Sequence, residues 1–187
     1  MNERLHSFVW LDLETTGLDP NAGKILEWAI VMAADDRDGD MQPVETVTDV
    51  IHCSPEDAAA LCDDYVTRMH TESGLLADCA ESTATLEEAE DFILGYLQAV
   101  TGKAEPAELV IAGFNPSYDV AWLRVHMPRV AACLDYHTFD VRTLEAAAKA
   151  WGPTFKKPVV EGTRHRALAD CLYALATAGA IREAVGL

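Results

Sequence analysis

The chain has 187 residues, half of them apolar, which suits a single soluble domain spanning 1–187 with a sizeable core. Its 14 basic residues against 31 acidic ones give a formal charge of −17. That charge weighs against an extended footprint on a long duplex, because such affinity comes from neutralising many phosphates, but it leaves room for a short anionic substrate held through bound cations.

Two strand-like runs open the chain, Ser7 to Leu13 and Ile25 to Ala33, separated by a turn rich in Gly, Asp, Pro and Asn. The polar stretch Asp35 to Asp40 reads as a hairpin loop leading to a third strand near Glu45 to His52. A mostly helical stretch follows from Ser54 to about Ala80, with a break around Thr71 to Gly74. A clearer helix runs from Leu86 to about Val100, opened by the capping-box pair Thr85 and Glu88 and striped by Leu86, Ala89, Ile93 and Leu97. Leu109-Val110-Ile111-Ala112, bounded by Gly113, suits a strand buried on both faces. A helix is expected from near Ser117, a strand around His137 to Val141, a helix from Arg142 to Trp151, a loop over 152–163 and a last helix from Arg166 to Ala178. Strands that first meander and then alternate with helices predict an α/β fold, a mixed sheet layered with helices. Met1 to His6 hold no long apolar run behind a basic start, and no apolar stretch approaches the ~18 residues of a membrane span. A cytoplasmic protein with no membrane partner is expected. The five cysteines, Cys53, Cys62, Cys79, Cys133 and Cys171, form no C-x-x-C pair and read as buried, reduced thiols.

Four carboxylates and one histidine stand out. Asp12 and Glu14 lie two residues apart at the end of the first strand, so both project to one face, and two like charges held so close need a cation. Asp119 falls in the first turn of a helix that follows a buried strand, where ligands of open α/β sheets gather. His165 and Asp170 are five residues apart, about 500° of helical rotation, and would not share a helical face. If His165 instead precedes the helix, its ring can swing over a site that Asp170 enters from the first turns. Taken singly, each of these residues also fits a capping or solvated role. As a set, four carboxylates suit two hard divalent cations, Mg²⁺ or Mn²⁺, and histidine titrates nearest neutrality among side-chain types, which suits a general base. Two-cation hydrolysis of a phosphodiester is the chemistry this constellation fits.

The order and wording of these motifs resemble the DEDDh family of 3′-to-5′ exonucleases. Asp12-Leu13-Glu14-Thr15-Thr16-Gly17-Leu18-Asp19-Pro20 followed by Ile25-Leu26-Glu27-Trp28-Ala29 is similar to its first motif, Asp119 to the acid of the second, and His165 to Asp170 to the H-x-A-L-x-D third. Within the family the chain resembles the oligoribonucleases over nearly its whole length, through Met69 to Leu76, the helix start Thr85 to Glu90, Met127-Pro128, Tyr136 and Phe139-Asp140-Val141. The resemblance implies a ribonuclease-H-like fold with a five-stranded mixed sheet flanked by helices, two divalent ions, a homodimer, and degradation of very short single-stranded RNA to mononucleotides. It assigns the metals to Asp12, Glu14, Asp119 and Asp170 and catalysis to His165.

Departures from the pattern bear on substrate. Thr15 stands where oligoribonucleases usually carry Met, and Thr15-Thr16 is commoner in proofreading-type DNA exonucleases, which keeps DNA open as the alternative substrate. A non-catalytic nucleic-acid-binding relative is the alternative from another class. Tyr65 replaces a Trp but keeps an aromatic stacking surface. The polar and Arg positions that cap the 5′ phosphate in the family correspond to Asn115, His137 and Arg142 here, with Tyr136 matching. Arg142 is placed to substitute for the missing arginine, since a guanidinium binds phosphate bidentately. Leu18 reads either as an apolar wedge against the terminal base or as a turn residue tucked into the core. His70 reads as a helix-terminus residue or as one reaching a neighbouring subunit's substrate, and Lys156 and Lys157 as a solvated loop or a phosphate lure.

Overall fold

A computed structural model of the chain describes residues 8–35, 41–103, 107–152, 154–160, 162 and 164–186. β1 (Phe8–Thr15), β2 (Ile25–Asp35) and β3 (Met41–Val50) form an antiparallel meander, and β4 (Leu109–Gly113) and β5 (Leu134–Asp140) add in parallel beside β1. The five-stranded mixed sheet therefore has the order β3-β2-β1-β4-β5. β3 starts earlier than expected and ends before His52, whose N–H instead donates to the Ala84 carbonyl. Most of the expected Asp35 to Asp40 loop lies outside the described residues.

The stretch after β3 is three helices, α1 (Pro55–Leu61), α2 (Asp64–Glu72) and α3 (Leu75–Glu81). The expected break near Thr71 to Gly74 is present, with Gly74 at φ 80°. A second, unexpected break follows Leu61: Cys62 is extended, and the Asp63 carboxylate caps α2 by accepting from Val66 N. α4 (Leu86–Thr101) opens on the expected capping box, Glu88 N donating to Thr85 Oγ1 and Thr85 N to Glu88 Oε2. α5 (Pro116–His126), the short α6 (Pro128–Ala131), α7 (Val141–Trp151) and α8 (Ala167–Val185) complete the chain. α6 was not foreseen, and α8 runs a further two turns past Ala178. No helix among the described residues is long and apolar enough to cross a membrane.

The pleat of β1 separates two cores. Val9, Leu11 and Leu13 pack with Ile93 and Leu97 of α4 and Trp122 and Leu123 of α5, whereas Trp10 packs with Ala167, Cys171, Ala174 and Ala178 of α8. Those four small residues recur at helical spacing, and they let α8 lie close against the sheet. Because side chains alternate, Asp12 and Glu14 continue the Trp10 face toward α8. The same pleat that builds the core thus delivers two acids to the start of α8. Four of the five cysteines are buried, Cys62 is partly exposed, and all are free thiols.

Candidate active site

Asp119 reaches the acidic pair of β1 through the local construction of the β4–α5 junction. A Cβ on Gly113 would sit 3.0 Å from the Leu11 carbonyl oxygen, so glycine allows β4 to end close against β1. Asn115 then turns the chain at φ 51°, and Pro116 opens α5 where its missing N–H is no loss. Asp119 Oδ1 accepts a hydrogen bond from Leu13 N at 3.0 Å, the peptide between Asp12 and Glu14. From the other side, His165 precedes α8 at φ 60° and Asp170 lies in the first turn of that helix. Ligating atoms of Glu14, His165 and Asp170 all lie within 4.8 Å of one another. An open cavity of about 530 Å³ is lined by Asp12, His165 and Asp170, with Phe114, Arg142 and Arg164 also in its wall; Glu14 lies behind that lining.

These carboxylates are electrostatically frustrated. Burial, reinforced by Asp170, Glu27 and Asp119, pushes Glu14 up to about 8. Burial first, then Asp119, Glu14 and Asp170, raises Asp12 well above the usual carboxylate range. Asp119 is also raised, mainly by burial, although the Leu13 N–H opposes it, and burial raises Asp170 against the pull of His165 and Arg164. Among the described residues none of the four makes an ion pair with Lys or Arg. Oxygen donors in this number, gathered without a protein cation to neutralise them, fit hard divalent ions.

Several residues at the site had no role assigned to them from the sequence, although Glu27 and Arg166 lie within its motifs. Glu27, opposite Glu14 in the β1–β2 ladder, accepts from Arg166 Nε at 3.0 Å, Arg166 Nη2 at 2.9 Å and Ala167 N at 2.9 Å. It thereby caps α8, whose own N-cap residue Arg166 has no capping side chain. Arg166 also pairs with Asp78 of α3 at 2.8 Å. On the opposite flank, Tyr118 sits 2.6 Å from Thr15 Oγ1 and donates to the Gly17 carbonyl at 2.6 Å, and the His126 ring bonds the Pro20 carbonyl at 2.7 Å. α5 therefore holds the turn after β1 at several points. Thr15 is itself buried.

His70 is fully buried, its Nε2–H bonded to the Thr15 carbonyl at 3.0 Å and 4.0 Å from Glu14 Oε2. Burial lowers its pKa, and its Nδ1 has no hydrogen-bond partner among the described residues. Leu18 is 86% exposed at the tip of the turn, so it is not tucked into the core. Tyr65 on α2 is exposed beneath Arg68, whose guanidinium carbon lies 5.9 Å from the ring centroid. Arg142 lies over the Phe114 ring at 4.4 Å and pairs with Glu145 at 3.1 Å. Asn115 is exposed, and Tyr136 is exposed against the ring of His137, which is tied to Asp135. Leu18, Tyr65, Asn115 and Tyr136 are not among the residues lining the cavity that holds Asp12, His165 and Asp170; Arg142 is.

A family model described as Exonuclease matches residues 9–178. The oligoribonuclease of Corynebacterium diphtheriae is 40% identical over 172 residues, covering 90% of this chain and 77% of that protein. The oligoribonuclease of Pseudomonas aeruginosa is 34% identical over 165 residues, covering 88% and 87%. Among solved structures, exonuclease I from Methylocaldum szegediense matches with a TM-score of 0.64 at 18% identity, over 94% of this chain and 40% of that one. A zinc-bound complex of E. coli exonuclease I with single-stranded DNA matches with a TM-score of 0.65 at 13% identity, again over 94% and 40%. At such identities the likeness speaks for the fold alone, which is ribonuclease-H-like, and this chain spans about two fifths of those structures' length. The chain belongs to the exonuclease family, as a DEDDh member similar over most of its length to oligoribonucleases.

Proposed function

We propose that this chain is a metal-dependent 3′-to-5′ exoribonuclease that acts on short single-stranded oligoribonucleotides and releases 5′-mononucleotides. The observation that carries the reading is the meeting of Glu14, His165 and Asp170 beside Asp12 and Asp119, in a chain that aligns along most of its length with oligoribonucleases. Asp12, Glu14, Asp119 and Asp170 would hold two divalent cations, Mg²⁺ or Mn²⁺. Such ions lower the pKa of water and stabilise charge on the attacking and leaving oxygens of an in-line displacement. His165, exposed at the mouth of the cavity, accepts the proton of the attacking water. As the new bond to phosphorus forms, the bond to the 3′ oxygen of the penultimate nucleotide breaks, and the terminal nucleotide leaves as a 5′-monophosphate.

The exposed Leu18 packs against the terminal base, and Tyr65 offers a stacking face. Buried His70 acts as a positioning residue, fixing Thr15 and with it the backbone beside Glu14. Arg142, reaching the same cavity from α7, takes a substrate phosphate, with Asn115 and Tyr136 farther along the 5′ side. A homodimer in the cytoplasm completes the proposal, and the exposed aromatic rings of Tyr65 and Tyr136 are suited to meeting a second copy.

Digestion of labelled two-, five- and twenty-nucleotide RNA and DNA in Mg²⁺ or Mn²⁺ tests this reading. Strong preference for the shortest RNA supports it. Length-independent DNA cleavage would establish the alternative that Thr15-Thr16 favours, a proofreading or trimming DNA exonuclease. No hydrolysis with either cation would leave a non-catalytic nucleic-acid-binding relative.

A further inference from the structure

Leu18 stands 86% exposed on the turn between β1 and β2. An apolar side chain left in water gains by folding back onto the protein, so a turn that keeps one outward must be held by its backbone. The neck of this turn is closed by Thr16, whose N–H donates to the Lys24 carbonyl at 3.0 Å and whose Oγ1 accepts from Lys24 N at 2.9 Å. Farther out, Asp19 Oδ1 accepts from Asn21 N at 2.9 Å and the Asp19 carbonyl from Ala22 N at 3.1 Å. Leu18 lies between these two closures, and neither uses a group of Gly17 or Leu18.

The turn is held from outside by one face of α5. Tyr118, Trp122 and His126 recur four residues apart, so they rise about 12 Å along the helix in one slanting row. Their rings follow one another, Tyr118 and Trp122 at 6.1 Å between centroids, Trp122 and His126 stacked at 5.2 Å. Each ring meets the turn at a different point. Tyr118 Oη lies 2.6 Å from both Thr15 Oγ1 and the Gly17 carbonyl, which Thr15 Oγ1 also approaches at 2.9 Å, so two hydroxyls converge on the peptide that enters Leu18. His126 Nε2–H donates to the Pro20 carbonyl at 2.7 Å, two residues past Leu18. Between them Trp122 is fully buried, and a Cβ on Gly23 would fall 2.6 Å from its Cη2, so the returning limb lies directly on the indole. Asp119, beside Tyr118 on the same helix, accepts from Leu13 N within the acidic pair of β1. One rigid helix therefore sets both a carboxylate of the cation site and the position of Leu18.

We propose that Tyr118, Trp122 and His126 are positioning residues for the substrate. Through the Gly17 and Pro20 carbonyls and the limb at Gly23 they hold Leu18 outward at a fixed offset from the carboxylates, so that a base seated on Leu18 brings the scissile phosphodiester to the cations. The inference rests on the nuclease reading, in which Leu18 packs against the terminal base, and it names the side chains that make that contact possible. Thr15 belongs to the same device, since its buried hydroxyl is engaged by Tyr118 and Gly17. A turn freed from the ladder lets Leu18 fold away, and the substrate loses both grip and alignment.

His126→Phe removes the donor and keeps a ring beside Trp122, whereas His126→Gln restores an N–H at similar reach. His126 is only half-buried, so both variants should fold, which thermal unfolding checks. The kcat/KM for diadenylate in Mn²⁺ should fall roughly three- to tenfold in His126→Phe, as for the loss of one hydrogen bond, and recover in His126→Gln. Leu18→Ala should lower it by at least as much. Adding His126→Phe to Leu18→Ala should then cost less than about a further twofold, because the side chain being positioned is already gone; a merely structural role would show its full loss in both backgrounds. The same cycle measured as calorimetric Kd values for diadenylate in Mn²⁺, with every protein carrying His165→Ala to slow turnover, reads the coupling without hydrolysis. A full further loss in the Leu18→Ala background, or no loss from His126→Phe alone, overturns the proposal. An unaffected Leu18→Ala overturns both it and the contact of Leu18 with the base. Coupling in Kd, in a protein whose unaltered form hydrolyses nothing, would keep the ladder and overturn the nuclease reading instead.

Discussion

Glu27 offers a sharp test of how the sheet positions the start of α8. Its side chain is 4% exposed and accepts from the Arg166 guanidinium and the Ala167 N–H. Removing one member of a buried ion pair costs about 3–5 kcal/mol, because the other charge is left without compensation. Arg166 is 25% exposed and keeps Asp78 at 2.8 Å, which places the loss at the low end. The orphaned Ala167 N–H adds about 1 kcal/mol. Against this, Glu27 is one of the charges that disfavour ionisation of Asp12, Glu14 and Asp170, so its removal relieves some repulsion in the metal-free protein. The net expectation for Glu27→Ala is a destabilisation of about 2–3 kcal/mol, or roughly 5–10 °C in Tm for a chain of this size. Thermal unfolding in EDTA measures it, and a double-mutant cycle with Arg166→Met isolates the pair from the helix cap. Activity should fall as well, since α8 carries Asp170. A Tm within 2 °C of the parent, or strict additivity of Glu27→Ala and Arg166→Met, would refute the argument that this pair anchors the helix.

Two further outcomes follow from the site. His165→Ala should lower kcat by about 10²–10⁴-fold while leaving the cation-induced rise in Tm intact; full activity at saturating Mn²⁺ would remove His165 from the general-base role. Chelator-treated protein should gain about 2.7 kcal/mol in Mg²⁺ or Mn²⁺ at a hundred times Kd, read as a rise in Tm, and Asp12→Asn should abolish that rise while increasing the Tm of the metal-free form. An equal cation response in Asp12→Asn would show that the ions bind elsewhere.

What was legible in the sequence was mostly local. Thr85 and Glu88 announced the start of α4 because a capping box is complete within four residues, and the two-residue period of β1 placed Asp12 and Glu14 on one face. The convergence of Asp119, His165 and Asp170 on that face came from the order of the motifs, and the structure brings those side chains together. What escaped was contact at long separation or at the mercy of tertiary packing. Arg166 had no role in the sequence beyond opening the last helix, yet it is bound to Glu27, 139 residues away, a pairing that no local pattern encodes. The break between α1 and α2 was hidden because Cys62 and Asp63 are neither Gly nor Pro; an Asx cap made it. Leu18, whose type favours burial, stands in solvent because Tyr118 and His126 hold the backbone on either side of it.

The distribution of charge ties these features into one argument about substrate length. A chain of −17 repels a long polyanion along most of its surface, and burial disfavours the charged form of Asp12 and Glu14 until cations occupy the site. Selection for short strands then requires no wall at the end of a groove. It requires only that attraction be confined to the cation-loaded carboxylates and to the basic side chains of the cavity wall, Arg142 and Arg164. A nucleotide reaching beyond them gains no such attraction and meets a strongly acidic molecule. Buried Glu145, which holds Arg142 and Lys157 to a common carboxylate, fixes where the Arg142 guanidinium meets that cavity.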